Sequence, residues 1–255
     1  MIITSKDNET IKSIKKLKEK KFRTESFIVE GIKMVKEALE QAEVEKVIVS
    51  ETFSSSDDFK SLNCDEQKLI IASDKVFEDL TDVVTPQGII AVVKKSSNSD
   101  VDYSDGFVLA LDGIQDPGNL GTIIRTADSA SIKQILVSKG TVDAYSPKVV
   151  RSTMGGIFRT KIIEVEDLAQ ALNSFKDNGY KVVTTELSAE KSIYDMDYQK
   201  SVVVIGNEAN GVTEEVSKTA TDKVIIPMLG KTESLNAAVA TSIMIYEYVR
   251  QKLGK

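Results

Sequence analysis

The last third of the chain alternates apolar segments with loops that contain glycine. Residues 202–208 (VVVIGNE) and 224–230 (VIIPMLG) each have the pattern of a buried strand that ends in such a loop. A helical pattern follows directly at 234–253. In α/β proteins, nucleotides bind where a strand ends in a glycine loop. This stretch therefore constrains the chain to an α/β fold with a binding pocket in its C-terminal part.

Strand and helix patterns also alternate along the rest of the chain. A lysine-rich helix is predicted over residues 8–21, and another over residues 120–130 with Asn119 as its cap. Strand patterns occur at residues 25–30, 44–50, 68–73, 89–93, 107–111, 134–138, 158–165 and 180–184. Repeated strand–helix units predict a mostly parallel sheet in the C-terminal part, buried on both faces.

One polar segment separates two groups of strands. Residues 94–105 (KKSSNSDVDYSD) are rich in serine and contain almost no apolar side chains. Such a composition is typical of a linker. We therefore predict a small α/β domain over residues 1–94, a linker over 95–105 and a second domain over 106–255.

The composition excludes several kinds of site. The chain contains no histidine and a single cysteine, Cys64. Ser-His and Cys-His catalysis, histidine-ligated metals and an internal disulfide are therefore excluded, and no metal site is expected. Proton transfer must use carboxylate, Lys, Arg, Tyr, water or the substrate. Because apolar runs long enough for a membrane span and an apolar signal core are both missing, we expect a cytoplasmic protein with no membrane partner.

The charge is unevenly distributed. The net charge is −6, which disfavours bulk binding to nucleic acid, yet residues 6–23 hold eight basic and three acidic side chains. This basic arm is compatible with RNA contact, and it is equally compatible with a solvated helix face.

Two polar residues stand at the start of the helix predicted over 120–130. Asn119 lies near the helix N-terminus, where amide groups favour an anion, and Arg125 lies off the apolar face. The pair could hold a phosphate or a sugar, or it could be a cap and a surface ion pair.

Three further candidates follow the apolar strands of the last third. Glu208 could shape its loop by accepting backbone amides, or it could take part in chemistry. Ser234 and Asn236 open the final helix, and a cap needs only one of them. The other is then free for a ligand. Neither a P-loop nor a G-x-G-x-x-G fingerprint is present, so a nucleotide triphosphatase and a dehydrogenase are disfavoured.

Three of these segments together resemble the motifs of the SpoU (TrmH-like) branch of the SPOUT RNA methyltransferases. They are DPGNLGTIIRTADS at 116–129, VVIGNEANGV at 203–212 and IPMLGKTESLNAAVATSIMIYE at 226–247. VDAYSPKVVRSTMGGIF lies between the first two, and the match covers the chain from about residue 106 onward. FIVEGIKMVKEAL at 27–39 and TPQGIIAVV at 85–93 are similar to the small, ribosomal-protein-like substrate-binding domain of many members.

The resemblance implies a SPOUT domain with a deep trefoil knot, an S-adenosylmethionine site in the knot, and a homodimer. It implies methylation of a ribose 2′-OH in RNA. By motif position, it assigns catalytic or orienting roles to Arg125, Asn119, Glu208, Ser234 and Asn236. It assigns the cofactor site to Thr184 and, through backbone groups, to Gly206, Ile226 and Leu235.

We therefore expect an S-adenosylmethionine-dependent RNA 2′-O-methyltransferase that binds RNA through the basic N-terminal domain and the catalytic cleft. The expected substrate is 23S ribosomal RNA, and transfer RNA is the alternative. A non-catalytic RNA-binding protein of the same fold is a second hypothesis, which the intact motif residues disfavour. A small-molecule α/β enzyme is a third, which the basic arm and the separate N-terminal domain disfavour.

Overall fold

The computed structural model describes residues 2–96 and 100–254, and the chain forms two compact units. The first unit contains Met1–Ser97 together with Tyr145–Phe158. The second contains Asn98–Ala144 together with Arg159–Lys255. The segment Tyr145–Phe158 thus packs with the first unit although it lies inside the predicted domain 106–255. Of the predicted linker, residues 97–99 lie outside the described residues.

Helices and strands alternate through both units. The strands are β1 (Ile2–Ile3), β2 (Ser26–Glu30), β3 (Val44–Ser50), β4 (Leu69–Ala72), β5 (Ile89–Lys94), β6 (Phe107–Asp112), β7 (Gln134–Ser138), β8 (Lys161–Val165), β9 (Lys181–Thr185), β10 (Lys191–Ser192), β11 (Ser201–Gly206) and β12 (Asp222–Ile225). The helices are α1 (Glu9–Lys16), α2 (Ile32–Gln41), α3 (Glu51–Ser54), α4 (Asp57–Lys60), α5 (Asp74–Glu78), α6 (Pro117–Ser129), α7 (Pro147–Thr153), α8 (Leu168–Asp177), α9 (Glu214–Ser217) and α10 (Ala237–Lys252).

The first unit is built on a mixed sheet with the strand order β1-β4-β3-β5-β2. β3 pairs in parallel with β4, whereas β5 is antiparallel to both of its neighbours. Ile11 and Ile14 of α1 pack with Phe77 and Leu80 against this sheet, and all four are almost completely buried. The ring of Tyr145 packs on Phe27 of β2 at 4.9 Å between centroids, which anchors the segment Tyr145–Phe158 in this unit.

The first helix is shorter than its predicted span of 8–21. Asn8 caps α1 by accepting hydrogen bonds from the amides of Thr10 and Ile11, and the helix ends at Lys16. The chain then continues as tight turns and a 3-10 turn over Lys20–Phe22. The physical reason is that residues 18–21 are all charged, so a further helical turn would have had no apolar face to bury.

The second unit is built on a sheet with the order β10-β12-β9-β11-β6-β7-β8, in which every neighbouring pair is parallel. Val202, Val203 and Val204 of the central strand β11 are completely buried. Side chains on both faces of β11 are covered by helices, as a continuous apolar strand requires. The prediction of a parallel sheet buried on both faces is confirmed.

Two helices of this unit, α6 and α10, pack on each other. α6 begins at Pro117 rather than at 120, because Asp116 is its cap. α10 begins at Ala237 rather than at 234, because Asn236 is its cap. Two apolar side chains of α10 are not part of the core of the unit: Val239 is 48% and Tyr246 51% exposed.

Candidate functional site

A cavity of about 690 Å³ opens at the carboxyl ends of β9, β11 and β12. Its walls are formed by residues 185–188, by the loop 206–212, by residues 224–226, 228 and 233–235, and by the start of α10. In a parallel sheet the carboxyl ends of neighbouring strands meet at one edge, and ligands bind there. The volume lies within the range of about 300–1,000 Å³ that is usual for small-molecule sites.

Gly206 lets the loop after β11 fold back on itself. The amide of Asn207 donates to the carbonyl of Gly211, and the amide of Gly211 donates back, each at 2.9 Å. A Cβ atom at Gly206 would lie 2.1 Å from the carbonyl carbon of Gly211 and 2.2 Å from the amide nitrogen of Val212. The close approach that this glycine allows is therefore that of its own loop.

Asn207 holds this loop in shape. Its Oδ1 accepts hydrogen bonds from the amides of Ala209 at 2.9 Å and Asn210 at 3.2 Å, and its Nδ2 donates to the Gly113 carbonyl at 2.8 Å. One of the two roles that the sequence left open for Glu208 was to accept these loop amides, and in the structure Asn207 accepts them. The signal for Asn207 was its position directly after the strand, where a short amide side chain can reach the following amides.

Asp112 gives the same loop a second anchor. This buried carboxylate at the end of β6 accepts the amide of Thr213 at 2.8 Å. Sequence analysis did not single it out, although an acidic residue that ends an apolar strand must find a donor.

Three of the predicted site residues form one hydrogen-bonded chain. Nδ2 of Asn236 donates to Oδ1 of Asn119 at 2.9 Å, and Nδ2 of Asn119 donates to Oε1 of Glu208 at 2.5 Å. Asn119 is free to make this bridge because it is not the cap of α6. Its backbone amide instead donates to Asp116. Residues far apart in sequence thus meet beside the cavity.

The two polar residues before α10 have different environments. Oδ1 of Asn236 caps the helix by accepting the amides of Ala238 at 3.0 Å and Val239 at 3.3 Å. Ser234 lines the cavity, and its hydroxyl makes no hydrogen bond within residues 2–96 and 100–254. Ser234 is therefore available to a ligand.

Arg125 lies on α6, outside the wall of the cavity. Its side chain is exposed, and it makes no ion pair or hydrogen bond with any residue that the structure describes. On the same helix, Thr126 lies 3.4 Å from the hydroxyl of Ser242, and Ser129 lies 3.2 Å from that of Tyr246. Arg125 therefore projects a free guanidinium group next to the helix pair.

Of the residues predicted to contact a cofactor, Gly206, Ile226 and Leu235 line the cavity. Thr184 does not, because it is completely buried and its hydroxyl donates to Glu186 at 2.8 Å. Glu186 itself is a wall residue that sequence analysis missed. The only local signal was an acidic residue just beyond the end of an apolar strand.

Glu186 is an ionised carboxylate in the wall. Besides Thr184, it accepts hydrogen bonds from Ser217 at 2.8 Å and from Lys223 at 3.0 Å. Burial raises the pKa of Glu186, but the hydrogen bonds from Ser217, Thr184 and Lys223 outweigh it, and the pKa lies below its ordinary value. This side of the cavity therefore accepts hydrogen bonds at neutral pH.

Much of the rest of the lining is apolar. Ile205, Val224, Leu235 and Ala240 contribute to it, and Ser217 and Ser234 are further polar wall residues. A molecule with one flat apolar part and one hydrogen-bonding part fits such a lining. Within the described residues, no group of three or more acidic, histidine or cysteine side chains could hold a metal ion.

Comparison with known proteins extends over both units. Residues 106–246 match the model of the SpoU rRNA methylase family, and residues 8–91 match that of the MRM3-like substrate-binding domain. The chain is 34% identical to the 23S rRNA (guanosine(2553)-2′-O)-methyltransferase RlmP of Bacillus subtilis, with coverage of 96% of this chain and 97% of that protein.

Two solved structures have the same fold. The SpoU methyltransferase AviRb from Streptomyces viridochromogenes, in complex with AdoMet, superimposes with a TM-score of 0.88 at 26% identity, covering 96% of this chain and 98% of its own. The AdoMet-bound rRNA methyltransferase from Sinorhizobium meliloti gives a TM-score of 0.85 at 31% identity, with coverage of 99% and 98%. The family match covers more than half of the chain and includes the cavity and its polar residues, so the protein belongs to the SpoU rRNA methylase family.

Proposed function

We propose that this protein transfers the methyl group of S-adenosylmethionine to a ribose 2′-OH of RNA. In this proposal the first unit binds RNA and the second performs the transfer. The observation that carries it is the cavity at the strand ends, with the chain Asn236–Asn119–Glu208 beside it. The AdoMet complexes of two relatives with this fold support the choice of cofactor.

The lining of the cavity suits this cofactor. Apolar side chains of the lining can pack against an adenine ring, and backbone groups at Gly206, Ile226 and Leu235 can bond its edge. The methyl group of a sulfonium is already activated, so the protein's contribution is mainly to position the two reactants.

The 2′-hydroxyl must lose a proton in a protein without histidine. Arg125 is a poor base, because a guanidinium keeps its proton in proteins. We assign it the role of a clamp that holds a phosphate and stabilises the developing alkoxide, with Ser234 or water assisting proton removal. The unpaired, exposed state of Arg125 supports this role.

Replacing Arg125 tests the clamp. Arg125→Ala should lower kcat by about 100-fold, as for loss of one stabilising donor. Arg125→Lys should recover little, because an ammonium cannot bond a phosphate in the bidentate geometry of a guanidinium. Full turnover of the lysine variant at unchanged RNA affinity would contradict the clamp.

Ribosomal RNA of the large subunit is the substrate that the comparisons favour. RlmP, whose name specifies 23S rRNA, matches over almost the whole chain. Solved structures named for tRNA, including a TrmH/SpoU enzyme from A. aeolicus, cover only 58% of it. The first unit matches a substrate-binding domain, and in this proposal it supplies the preference for ribosomal RNA.

The proposal includes a homodimer, a trefoil knot and a cytoplasmic location. Half-exposed Val239 and Tyr246 on α10 give an apolar surface for a second copy.

The knot is supported by the sheet order, in which β12 returns between β9 and β10 before α10 packs on α6. A cytoplasmic location agrees with a ribosomal RNA substrate, and no helix of residues 2–96 and 100–254 has the length and apolar character to cross a bilayer.

Transfer of labelled methyl groups to RNA tests the function. The RNA is taken from cells that lack this protein and is separated into large ribosomal, small ribosomal and transfer pools. Label in the large ribosomal pool, lost with Arg125→Ala, is expected. Label in the transfer RNA pool would identify tRNA, rather than ribosomal RNA, as the substrate. Cofactor binding without label in free RNA or ribosomal particles would instead favour a non-catalytic RNA-binding protein.

A further inference from the structure

Phe22 is an exposed aromatic residue in the most basic segment of the first unit. It closes the 3-10 turn Lys20–Phe22, and 38% of its surface is accessible. The ammonium groups of Lys16 and Lys21 lie 5.6 Å and 4.9 Å from the centroid of its ring. An aromatic face bordered by cations is the arrangement with which proteins hold single-stranded nucleic acid.

Much of the positive charge in the basic arm is neutralised within the unit. Lys6 and Lys15 pair with Asp79 at 3.1 Å and 2.6 Å, and Lys18 pairs with Asp82 at 2.9 Å. Lys12 pairs with an acidic residue of the same arm, Asp7. These four lysines are therefore poor candidates for phosphate contacts.

The cations beside Phe22 are differently placed. Lys16 makes no ion pair within the described residues. Lys21 pairs with Glu19 at 2.9 Å, but both side chains are more than half exposed. Such a pair contributes about 0–1 kcal/mol, so a phosphate can displace the carboxylate at little cost. The available positive charge of this arm is thus concentrated around one aromatic ring.

The turn that carries Phe22 is fixed before any ligand binds. Arg23 is only 5% exposed, and its guanidinium donates to the carbonyl of Leu17 at 2.7 Å. The amide of Phe22 donates to the Glu19 carbonyl at 3.1 Å. Arg23 therefore holds the turn rather than presenting charge to solvent. Because the turn is already ordered, binding there loses little conformational entropy.

We propose that Phe22 stacks on an unpaired base of RNA while Lys16 and Lys21 bind the adjacent phosphates. A cation over an exposed aromatic face contributes about 0.5–1 kcal/mol. Stacking of a base contributes about 1–3 kcal/mol. A base therefore replaces the ammonium groups on the face of the Phe22 ring, and the displaced lysines can then contact phosphates. This inference builds on the proposed function, since it names how the first unit holds RNA.

Binding of the full-length protein to RNA tests this stacking site. The probe is a single strand of about 12 nucleotides, compared with the same strand in a duplex. Phe22→Ala should weaken single-strand binding by about 5- to 100-fold at every salt concentration, with little effect on the duplex. Phe22→Leu keeps apolar packing without an aromatic face, and it should lose as much single-strand affinity as Phe22→Ala. Phe22→Tyr should bind like the wild type.

The lysines give a second, separate readout. Lys16→Gln should make the slope of log affinity against log salt shallower by about 0.7, as for one lost phosphate contact on a single strand. Phe22→Ala should leave that slope unchanged. Tyr194, which is 58% exposed in the second unit, provides the control variant Tyr194→Ala.

The proposal is overturned if Phe22→Ala binds within twofold of the wild type, or if Tyr194→Ala loses as much. Equal losses on single strand and duplex would indicate a purely electrostatic contact, and would also overturn it. Cofactor binding and methyl transfer are measured in parallel. If RNA binding needs Phe22 but no methyl group is transferred, the proposed function alone is refuted. If methyl groups are transferred and Phe22→Ala leaves RNA binding unchanged, only the stacking site is refuted.

Discussion

At the scale of single residues, Gly206 is the position where one added carbon should do most harm. In Gly206→Ala the new Cβ would collide with the backbone of Gly211, so the loop that lines the cavity must move. We expect a loss of about 1–3 kcal/mol in the free energy of unfolding and at least about tenfold weaker cofactor binding. Urea unfolding and calorimetric titration measure the two effects. The matched control is Gly230→Ala, because a Cβ there meets no atom within 4 Å.

Glu247 should make the stability of the second unit depend on acid pH. Its side chain is 3% exposed and is bonded to Arg250 and Gln251. The hydrogen bond from Arg250 lowers the pKa of Glu247 against the opposing effect of burial. A folded-state pKa below the unfolded one stabilises the fold above the unfolded pKa. That contribution is lost as the pH falls through the folded pKa.

Glu247→Gln should therefore cost about 1–3 kcal/mol at pH 7 and reduce the further loss below about pH 4. Urea unfolding at both pH values measures the difference. Glu214→Gln is the control, since Glu214 pairs with Lys218 on an exposed helical turn and contributes at most about 0.5 kcal/mol. An equal pH response of wild type and Glu247→Gln would contradict the assignment.

Single residues also mark the limit of what the sequence could predict about the site. Asp116 and Asn119 are both good helix caps three residues apart, and only the course of the chain decides between them. Likewise, Asn207 and Glu208 could each accept the loop amides. The motif residues could be chosen from sequence, but the bridge from Asn236 through Asn119 to Glu208 depends on contacts more than 80 residues apart.

At the scale of elements, the N-terminus of α10 performs two tasks with one side chain. Oδ1 of Asn236 caps the helix, and Nδ2 holds Asn119. Asn236→Asp keeps an excellent cap but replaces the donor to Asn119 with a carboxylate oxygen. We expect its unfolding free energy to stay within about 0.5 kcal/mol of the wild type, while methyl transfer falls by at least about tenfold.

Asn236→Ala removes both functions and should also lose about 1 kcal/mol of stability. Thermal unfolding and single-turnover transfer, measured on both variants, separate the cap from the bridge. If Asn236→Asp transferred methyl groups at the wild-type rate, the bridge to Asn119 would have no part in the reaction.

The type and order of the elements could be predicted better than their ends. The strand β11 was evident because a sheet buried on both faces needs a continuous apolar strand. The C-terminal end of α1 was not, because lysine and glutamate favour helices and only the absence of an apolar face stops it at Lys16. The surroundings of Val239 and Tyr246 on α10 could not be predicted from sequence either, since an apolar stripe has the same pattern whether it faces a core or a partner.

At the scale of the whole molecule, the exposed stripe of α10 should hold two copies together. The double variant Val239→Glu with Tyr246→Glu places charge on this surface, where an apolar interface would have to bury it. We expect the wild type to have the mass of a dimer by light scattering and the double variant that of a monomer. Tyr194→Glu, at an equally exposed site, should remain dimeric. A monomeric wild type would remove the dimer from the proposal.

The first unit is completed by a segment that the ribosome makes late. Its sheet lies within residues 2–94, but Tyr145–Phe158, with the ring that packs on Phe27, belongs to it as well. Domains commonly fold during synthesis as their sequence emerges. This unit must instead wait until β6, α6 and β7 of the other unit have been synthesised. The part of Phe27 that Tyr145 covers therefore stays exposed during that interval. The first unit can be completed only after part of the second unit has been synthesised.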